Sequence, residues 1–242
     1  MSCFETVIGL EIHAELRCAS KIFCSCSTAF GGETNTQVCP VCLGHPGALP
    51  TLNREAVRLA VRAGLATGCE IRRFSAFDRK NYFYPDLPKG YQITQFFHPI
   101  CEGGALTVET SAGTRRVGIT RIHLEEDAGK LIHRGTETEI DCNRCGVPLI
   151  EIVTEPDLRS AEDTRAFVEE LRDTLRAVGV TDGRMQEGSL RVDVNLSVHR
   201  PGEPLGTRTE MKNLNSFAFI ARAVEYESRR QIALLERGES IM

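Results

Sequence analysis

A chain of 242 residues, 41% of them hydrophobic, is long enough to enclose a real core as one large domain or two small ones. Its formal net charge of -4 argues against a sequence-independent basic nucleic-acid binder and leaves room only for a local basic groove. No run approaches the ~18 apolar residues of a membrane span, and the N-terminus lacks the basic and apolar regions of a secretory leader, so a soluble, cytoplasmic protein is expected.

Thr6 to Arg17 alternates strictly. Ile8, Leu10, Ile12, Ala14 and Leu16 take one side and Gly9, Glu11, His13 and Glu15 the other, which predicts a strand with one charged face. The ten cysteines that accompany it point to a reducing compartment, where they serve as thiols or metal ligands. Cys24-x-Cys26 and Cys39-Pro-x-Cys42 stand twelve residues apart across a loop rich in Gly, Thr and Asn. Two close thiolate pairs around a polar loop suit a tetrahedral zinc site, with a zinc-binding insertion at about 22–46. The competing reading, that these are small buried hydrophobes, fits poorly with a segment that has no apolar period.

Asn53 then caps a predicted helix carrying Ala56, Val57, Ala60, Val61, Gly64 and Leu65, with Gly68 as its stop. Three of the four tyrosines follow in one stretch, Lys80-Asn-Tyr82-Phe-Tyr84-Pro-Asp86-Leu-Pro-Lys89-Gly-Tyr91-Gln92. Its Pro and Gly content excludes helix. Aromatic faces beside two lysines predict a pocket able to stack a base and hold phosphate or carboxylate.

Arg116 to Leu124 alternates again, with Gly118, Thr120, Ile122 and Leu124 opposite Val117, Ile119, Arg121, His123 and Glu125, before Glu125-Glu126-Asp127 enters a small turn. Cys142-x-x-Cys145 has no partner pair nearby and reads as ordinary loop thiols. Pro148 to Pro156 is a short apolar strand with Glu151 at its middle, where an ionised carboxylate needs a compensating partner. Ser160-x-x-Asp163 forms a capping box before Phe167, Leu171, Leu175 and Val178. Ser189 to Val198 places Leu190, Val192, Val194, Leu196 and Val198 opposite Arg191, Asp193, Asn195 and Ser197. A last helix starts near Ser216 and carries Phe219, Ile220, Ala223, Val224 and Tyr226, with no capping motif or closing strand after it. Strands with one apolar and one ligand-bearing face, interrupted by packing helices, predict an α+β domain whose mostly antiparallel sheet offers one side as a cradle.

Glu11, His13, Glu125 and Glu151 come from three strands, and their hard oxygen donors with one imidazole suit Mg2+ or Mn2+ better than zinc. For most of them solvated charge on an open face is the alternative; for Glu151 it is a weak one. Neither G-x-x-x-x-G-K-[ST] nor G-x-G-x-x-G occurs, so a nucleotide would be held by a sheet and metal ions.

Several long, ordered motifs carry a resemblance: Gly9-Leu-Glu11-Ile-His13, the stretch from Lys80 to Gln95, Gly118 to Lys130, Asn143-Arg144 with Pro148-Leu-Ile-Glu151, Glu187 to Asn195, and Lys212-Asn-Leu-Asn215-Ser-Phe217. From about Phe4 to Gly238 the chain resembles the B subunits of the bacterial aspartyl/glutamyl-tRNA amidotransferases. The resemblance implies a glutamine-synthetase-like cradle. It would use ATP and Mg2+ to phosphorylate the side-chain carboxylate of Glu misacylated on tRNA(Gln), or Asp on tRNA(Asn). Ammonia released from glutamine by an amidase A subunit, in an assembly that also holds a small C subunit, would then displace the phosphate. A carboxylate is a poor acyl donor, and the activated form must be kept from water until ammonia arrives.

Carried over by position, Glu11, His13, Glu125 and Glu151 match the Mg2+ cluster, and Cys24, Cys26, Cys39 and Cys42 the structural zinc ligands. Lys80, Tyr82, Lys89 and Glu125 fall in the catalytic set; Tyr84, Tyr91, Gln92, Arg191, Asp193, Asn195 and Lys212 fall in nucleotide binding. Cys142 and Cys145 receive no role. Members of the family continue past the position of Met242 through a helical domain and a tRNA-gripping tail domain, so this chain is expected to be the N-terminal cradle portion. The rival expectation is a non-catalytic, zinc-stabilised scaffold that docks an acceptor stem and the amidase partner. A zinc-ribbon transcription regulator is excluded by the want of a basic helix.

Overall fold

In the computed structural model, which describes residues 4–241, the first alternating segment is strand β1 (Glu5–Glu15). It is followed by α1 (Arg54–Ala66), β2 (Glu70–Ile71), β3 (Asp78–Asn81), β4 (Tyr91–Thr94), β5 (Cys101–Glu102), β6 (Ala105–Thr110) and β7 (Gly113–Glu126). Then come β8 (Lys130–Arg134), β9 (Glu137–Asp141), β10 (Pro148–Thr154), α2 (Ala161–Ala177), β11 (Leu190–His199), β12 (Thr209–Leu214) and α3 (Phe217–Glu236). The main sheet runs β12-β11-β1-β10-β7-β5-β2, with β6 added to β7, and every pairing within it is antiparallel. The chain is therefore α+β, with a mainly antiparallel sheet, as its alternating segments predict.

Period-two patterning decides which side of the sheet is core. Ile8, Leu10, Ile12 and Ala14 of β1 and Leu190, Val192, Val194, Leu196 and Val198 of β11 are all buried on one side. Against them pack Ala56, Leu59, Ala60 and Ala63 of α1, Phe167, Val168, Leu171 and Leu175 of α2, and Ile220 and Val224 of α3. Each fully buried large side chain there contributes roughly 1.5–3 kcal/mol. Helices covering one face leave the other free for polar side chains. Among the described residues no helix is long and apolar enough to cross a membrane.

The helix starts follow the sequence signals. Asn53 Oδ1 accepts from the Glu55 amide at 2.9 Å and Ser160 Oγ from the Asp163 amide at 3.0 Å, each relieving an orphan donor of the first turn. Four expectations need correction. In α1, Ala56, Ala60 and Gly64 are buried as the pattern suggests, but Leu59 and Ala63 complete the core stripe and Leu65 is 66% exposed, because it falls outside that stripe. In α3, Phe219 and Tyr226 face solvent, while Ile220 and Val224 are buried in the core and Phe217, Ile232 and Leu235 pack against it. That helix does have a cap: Gly238 adopts φ 74°, and the Gly238 and Glu239 amides return to the carbonyls of Leu235 and Leu234.

The fourth correction concerns β7. Its strict alternation is broken by a bulge at Thr120, since Arg121 pairs with Val153 but Ile119 pairs with Thr154. Val117 and Ile119 before the bulge and Ile122 and Leu124 after it are all core residues. The extra residue switches the parity of the strand, so Arg121, His123 and Glu125 stand on the polar face without forcing the first pair there. The tyrosine-rich stretch forms the antiparallel β3–β4 hairpin with a Pro- and Gly-bearing turn at its tip.

Candidate functional site

Four adjacent strands carry a row of ionisable side chains across the polar face. His13 of β1 pairs with Glu151 of β10, Glu151 pairs with His123 of β7, and on the far side His13 pairs with Arg191 of β11. Cross-strand partners share a face, which is why residues so distant in sequence converge. One pleat along, Glu125 turns into the same space. His13 Nε2 lies 3.4 Å from Glu125 Oε1 and 3.5 Å from Glu151 Oε2. His123 Nε2 lies 3.2 Å from Glu151 Oε2 and 3.7 Å from Glu125 Oε2, and Thr94 Oγ1 donates to Glu125 at 3.0 Å.

Two nearly buried carboxylates thus face one another, and their ion-pair partners among the described residues are both histidines. Burial alone pushes an imidazole pKa down, but Glu125 and Glu151 outweigh it and hold His13 up at about 10; His123 moves the same way for the same reason. Burial raises the Glu125 value while the two histidines more than reverse it, to about 2, and Glu151 is also held below the ordinary carboxylate range. One donor atom each from His13, Glu125 and Glu151 lies within 4.8 Å of the others. Two carboxylate oxygens and an imidazole aimed at one point are a fitting donor set for a hard divalent cation, which would take over the charge balance that the imidazoles now supply.

Glu11 stands outside this trio. It shares the face of His13 one pleat away, and its carboxylate accepts from Asn195 Nδ2 at 3.2 Å. Asp193, its cross-strand partner, is bound by Lys212 at 3.3 Å, and Lys212 also reaches Glu210 at 2.9 Å. Arg191 Nη2 donates to Asp127 at 2.7 Å, with Arg144 3.6 Å away on the other oxygen. The predicted nucleotide-side residues therefore form a belt of ion pairs beside the trio. In the same belt Glu15 is pushed up to about 8 by burial and by the charge of Asp127.

The β3–β4 hairpin lies over the end of β7. Lys89 is ion-paired with buried Glu126 and sits 5.3 Å over the Tyr91 ring; Gln92 Nε2 donates to the Glu126 carbonyl at 2.7 Å. Tyr82 is half-buried, and burial together with Asp86 and Glu125 pushes its pKa up. Lys80 is exposed, 5.8 Å over the Tyr82 ring, and Tyr84 is 59% exposed at the turn beside Phe83. Lys89, Tyr91 and Gln92, at the turn end of the hairpin, are thus drawn against the end of β7, whereas Lys80 and Tyr84 stay at the surface.

Cys24, Cys26, Cys39 and Cys42 converge, with one sulfur of each within 4.8 Å of the others. The Cys39 and Cys42 sulfurs are 3.9 Å apart. A zinc–sulfur bond of about 2.3 Å sets tetrahedral sulfurs about 3.8 Å apart, so the four residues fit the ion. Between this cluster and the hairpin lies a cavity of about 80 Å³ lined in part by Lys21, Cys42, Lys89, Tyr91 and Glu126.

Two contributors escape the sequence pattern. His123 is buried against both carboxylates, and the signal that would have found it is the pair of apolar doublets of opposite parity in β7, which demands a bulge. Lys21 is fully buried beside the cysteines, and nothing in its sequence neighbourhood marks it.

Residues 6–241 match the model of the GatB/GatE catalytic domain. The chain is 62% identical over 238 residues to the aspartyl/glutamyl-tRNA(Asn/Gln) amidotransferase B subunit of Caldicellulosiruptor saccharolyticus, covering 97% of this chain and 50% of that protein. It is 58% identical over 246 residues to the protein of the same name from Anaeromyxobacter dehalogenans, covering 100% of this chain and 51% of the relative. The chain spans about half the length of the curated relatives it matches. With the family match running nearly end to end over the strands that carry His13, Glu125 and Glu151, the chain belongs to the GatB/GatE catalytic domain family.

Proposed function

We propose that this chain is the cradle of a tRNA-dependent amidotransferase. In this reading it activates the side-chain carboxylate of Glu, or Asp, misacylated on tRNA(Gln) or tRNA(Asn) by ATP-dependent phosphorylation, and then directs ammonia onto it. The observation that carries the reading is the convergence of His13, Glu125 and Glu151 from three strands on one point. Mg2+ held there supplies charge neutralisation to a phosphoryl group in transfer. The chain's own residues orient and shield. His123 and Thr94 fix the carboxylate rotamers, and the Arg191–Asp127–Arg144 belt presents cationic edges beside the trio.

The turn end of the hairpin, with Lys89, Tyr91 and Gln92 held against the end of β7, forms in this reading a wall that excludes water from the activated carboxylate. A glutamine-synthetase-like use of an antiparallel sheet as a nucleotide platform fits a face that bears carboxylates at its centre and Asp193, Asn195 and Lys212 at its edge. Residues 1–242 act in this reading as one cytoplasmic cradle domain with the zinc-binding insertion at about 22–46. The amidase and small subunits supply ammonia, and the rest of the relatives' length supplies much of the tRNA grip. The test is the reconstituted full-length complex with misacylated tRNA. Glu125→Ala or Glu151→Ala should abolish carboxylate phosphorylation while glutaminase activity of the partner persists. Full amidation by both variants would sink the reading and favour a non-catalytic scaffold.

A further inference from the structure

Lys21 is completely buried, an unusual fate for a lysine. Its Nζ donates to the Gln37 carbonyl at 2.7 Å, to the Cys142 carbonyl at 3.4 Å and to Cys42 Sγ at 3.5 Å. Among the described residues no carboxylate comes within 4.0 Å of it, although Glu126 lines the same cavity. Two carbonyl dipoles alone are poor compensation for a buried cation. The third partner differs in kind. Four thiolates around one zinc ion leave two negative charges in excess, so a loaded tetrathiolate centre is itself a buried anion that needs a cation.

We propose that Lys21 is the counter-cation of the cysteine centre, holding it through Cys42 Sγ and so setting its affinity for zinc. This rests on the reading of Cys24, Cys26, Cys39 and Cys42 as a zinc site. The placement serves both partners. The ammonium gains the anion it lacks, and the Cys42 thiolate receives a charge-assisted donor from outside the metal shell. The Cys39 amide, 3.2 Å from the same sulfur, adds a neutral donor, so Cys42 is the most heavily supported ligand of the four. The Cys142 carbonyl, in the turn closed by the Cys145 amide at 3.0 Å, accepts from the same ammonium at 3.4 Å. This assigns the Cys142–Cys145 turn a part in positioning Lys21 without any thiol chemistry.

The experiment is zinc affinity by competition with a chromophoric chelator, on wild-type chain and on Lys21→Met, Lys21→Gln and Lys21→Arg. Cobalt-substituted spectra provide a second readout of the thiolate shell. Loss of an outer-shell partner should weaken zinc binding about 10–100-fold in the Met and Gln variants. Arg, which keeps the charge, should stay within severalfold of wild type. A merely structural, hydrogen-bonding lysine predicts instead that Gln, which keeps a donor, behaves like Arg. If the neutral variants fold only with metal, the zinc concentration at half-folding replaces the chelator titration and gives the same ranking. Wild-type affinity in Met and Gln, or equal losses in Gln and Arg, overturns the role of Lys21. Wild-type chain that takes up no zinc overturns the zinc reading and the proposal with it.

Discussion

His123 and Glu151 are direct partners across the β7–β10 ladder, with the imidazole Nε2 3.2 Å from the carboxylate Oε2. The contact orients a carboxylate in the middle of an apolar strand. His123→Leu should therefore weaken divalent-cation binding by about tenfold or more. Mn2+ titration followed by electron paramagnetic resonance checks this, and an unchanged Mn2+ affinity would remove His123 from the site.

Zinc should be present at close to one equivalent per chain in purified protein and be lost when Cys39 and Cys42 both become Ser. Because metal-binding free energy is partly folding free energy, the thermal midpoint should fall as well. Elemental analysis with a thermal melt measures both. A metal-free wild type whose melt is indifferent to added zinc contradicts the expectation.

The β7 bulge makes a sharp prediction about chain length. Thr120→Ala removes a hydroxyl from an exposed position and should cost under about 1 kcal/mol. Deleting Thr120 restores strict alternation and turns either Val117 and Ile119 or Ile122 and Leu124 out of the core. Loss of even two such side chains costs roughly 3–6 kcal/mol. Urea denaturation of the two variants compares them, and similar midpoints would show that the bulge does not set the register.

Acid should attack the α3–β12 seam. Glu227 accepts from Arg230, Thr209 and Gln231, each at 2.8–2.9 Å. The Arg230 guanidinium, aided by the other two donors, holds its pKa down at about 2 from an ordinary 4.5. A depressed acid stabilises the fold fully above its unfolded value, so this contribution is complete above about pH 4.5 and disappears as pH falls toward 2. Glu227→Gln should be less stable than wild type at pH 7, with the gap closing between pH 4.5 and 2. Thermal melts across that range decide it, and a constant gap rules out the ion pair as the cause.

Much of this architecture is legible in the sequence because burial on one side of a sheet writes itself as period two. β11 is the clearest case, with Leu190, Val192, Val194, Leu196 and Val198 all reaching the core. Glu151 is conspicuous for a related reason, as a carboxylate where the pattern demands an apolar residue. His123 shares its parity with Val117 and Ile119 and so reads as part of an ordinary face; one inserted residue changes the parity, and local pattern does not carry parity across a bulge. Lys21 is invisible because its burial depends on a carbonyl contributed by Cys142, far along the chain. The short pieces β2, β5 and β12 owe their strand form to neighbours in the sheet more than to their own residues.

The placement of β1 also bears on synthesis. It is an interior strand whose two neighbours, β10 and β11, begin at Pro148 and Leu190. At about 5–20 residues per second, β1 waits roughly 7–30 s after emerging from the ribosome before its first neighbour exists. During that time a strand of alternating Ile, Leu and Ala displays two unpaired edges and an uncovered apolar face, the combination most prone to pairing with another nascent chain. Of the elements that pack on that apolar face, α1 is made long before either permanent neighbour and is the first available to cover it.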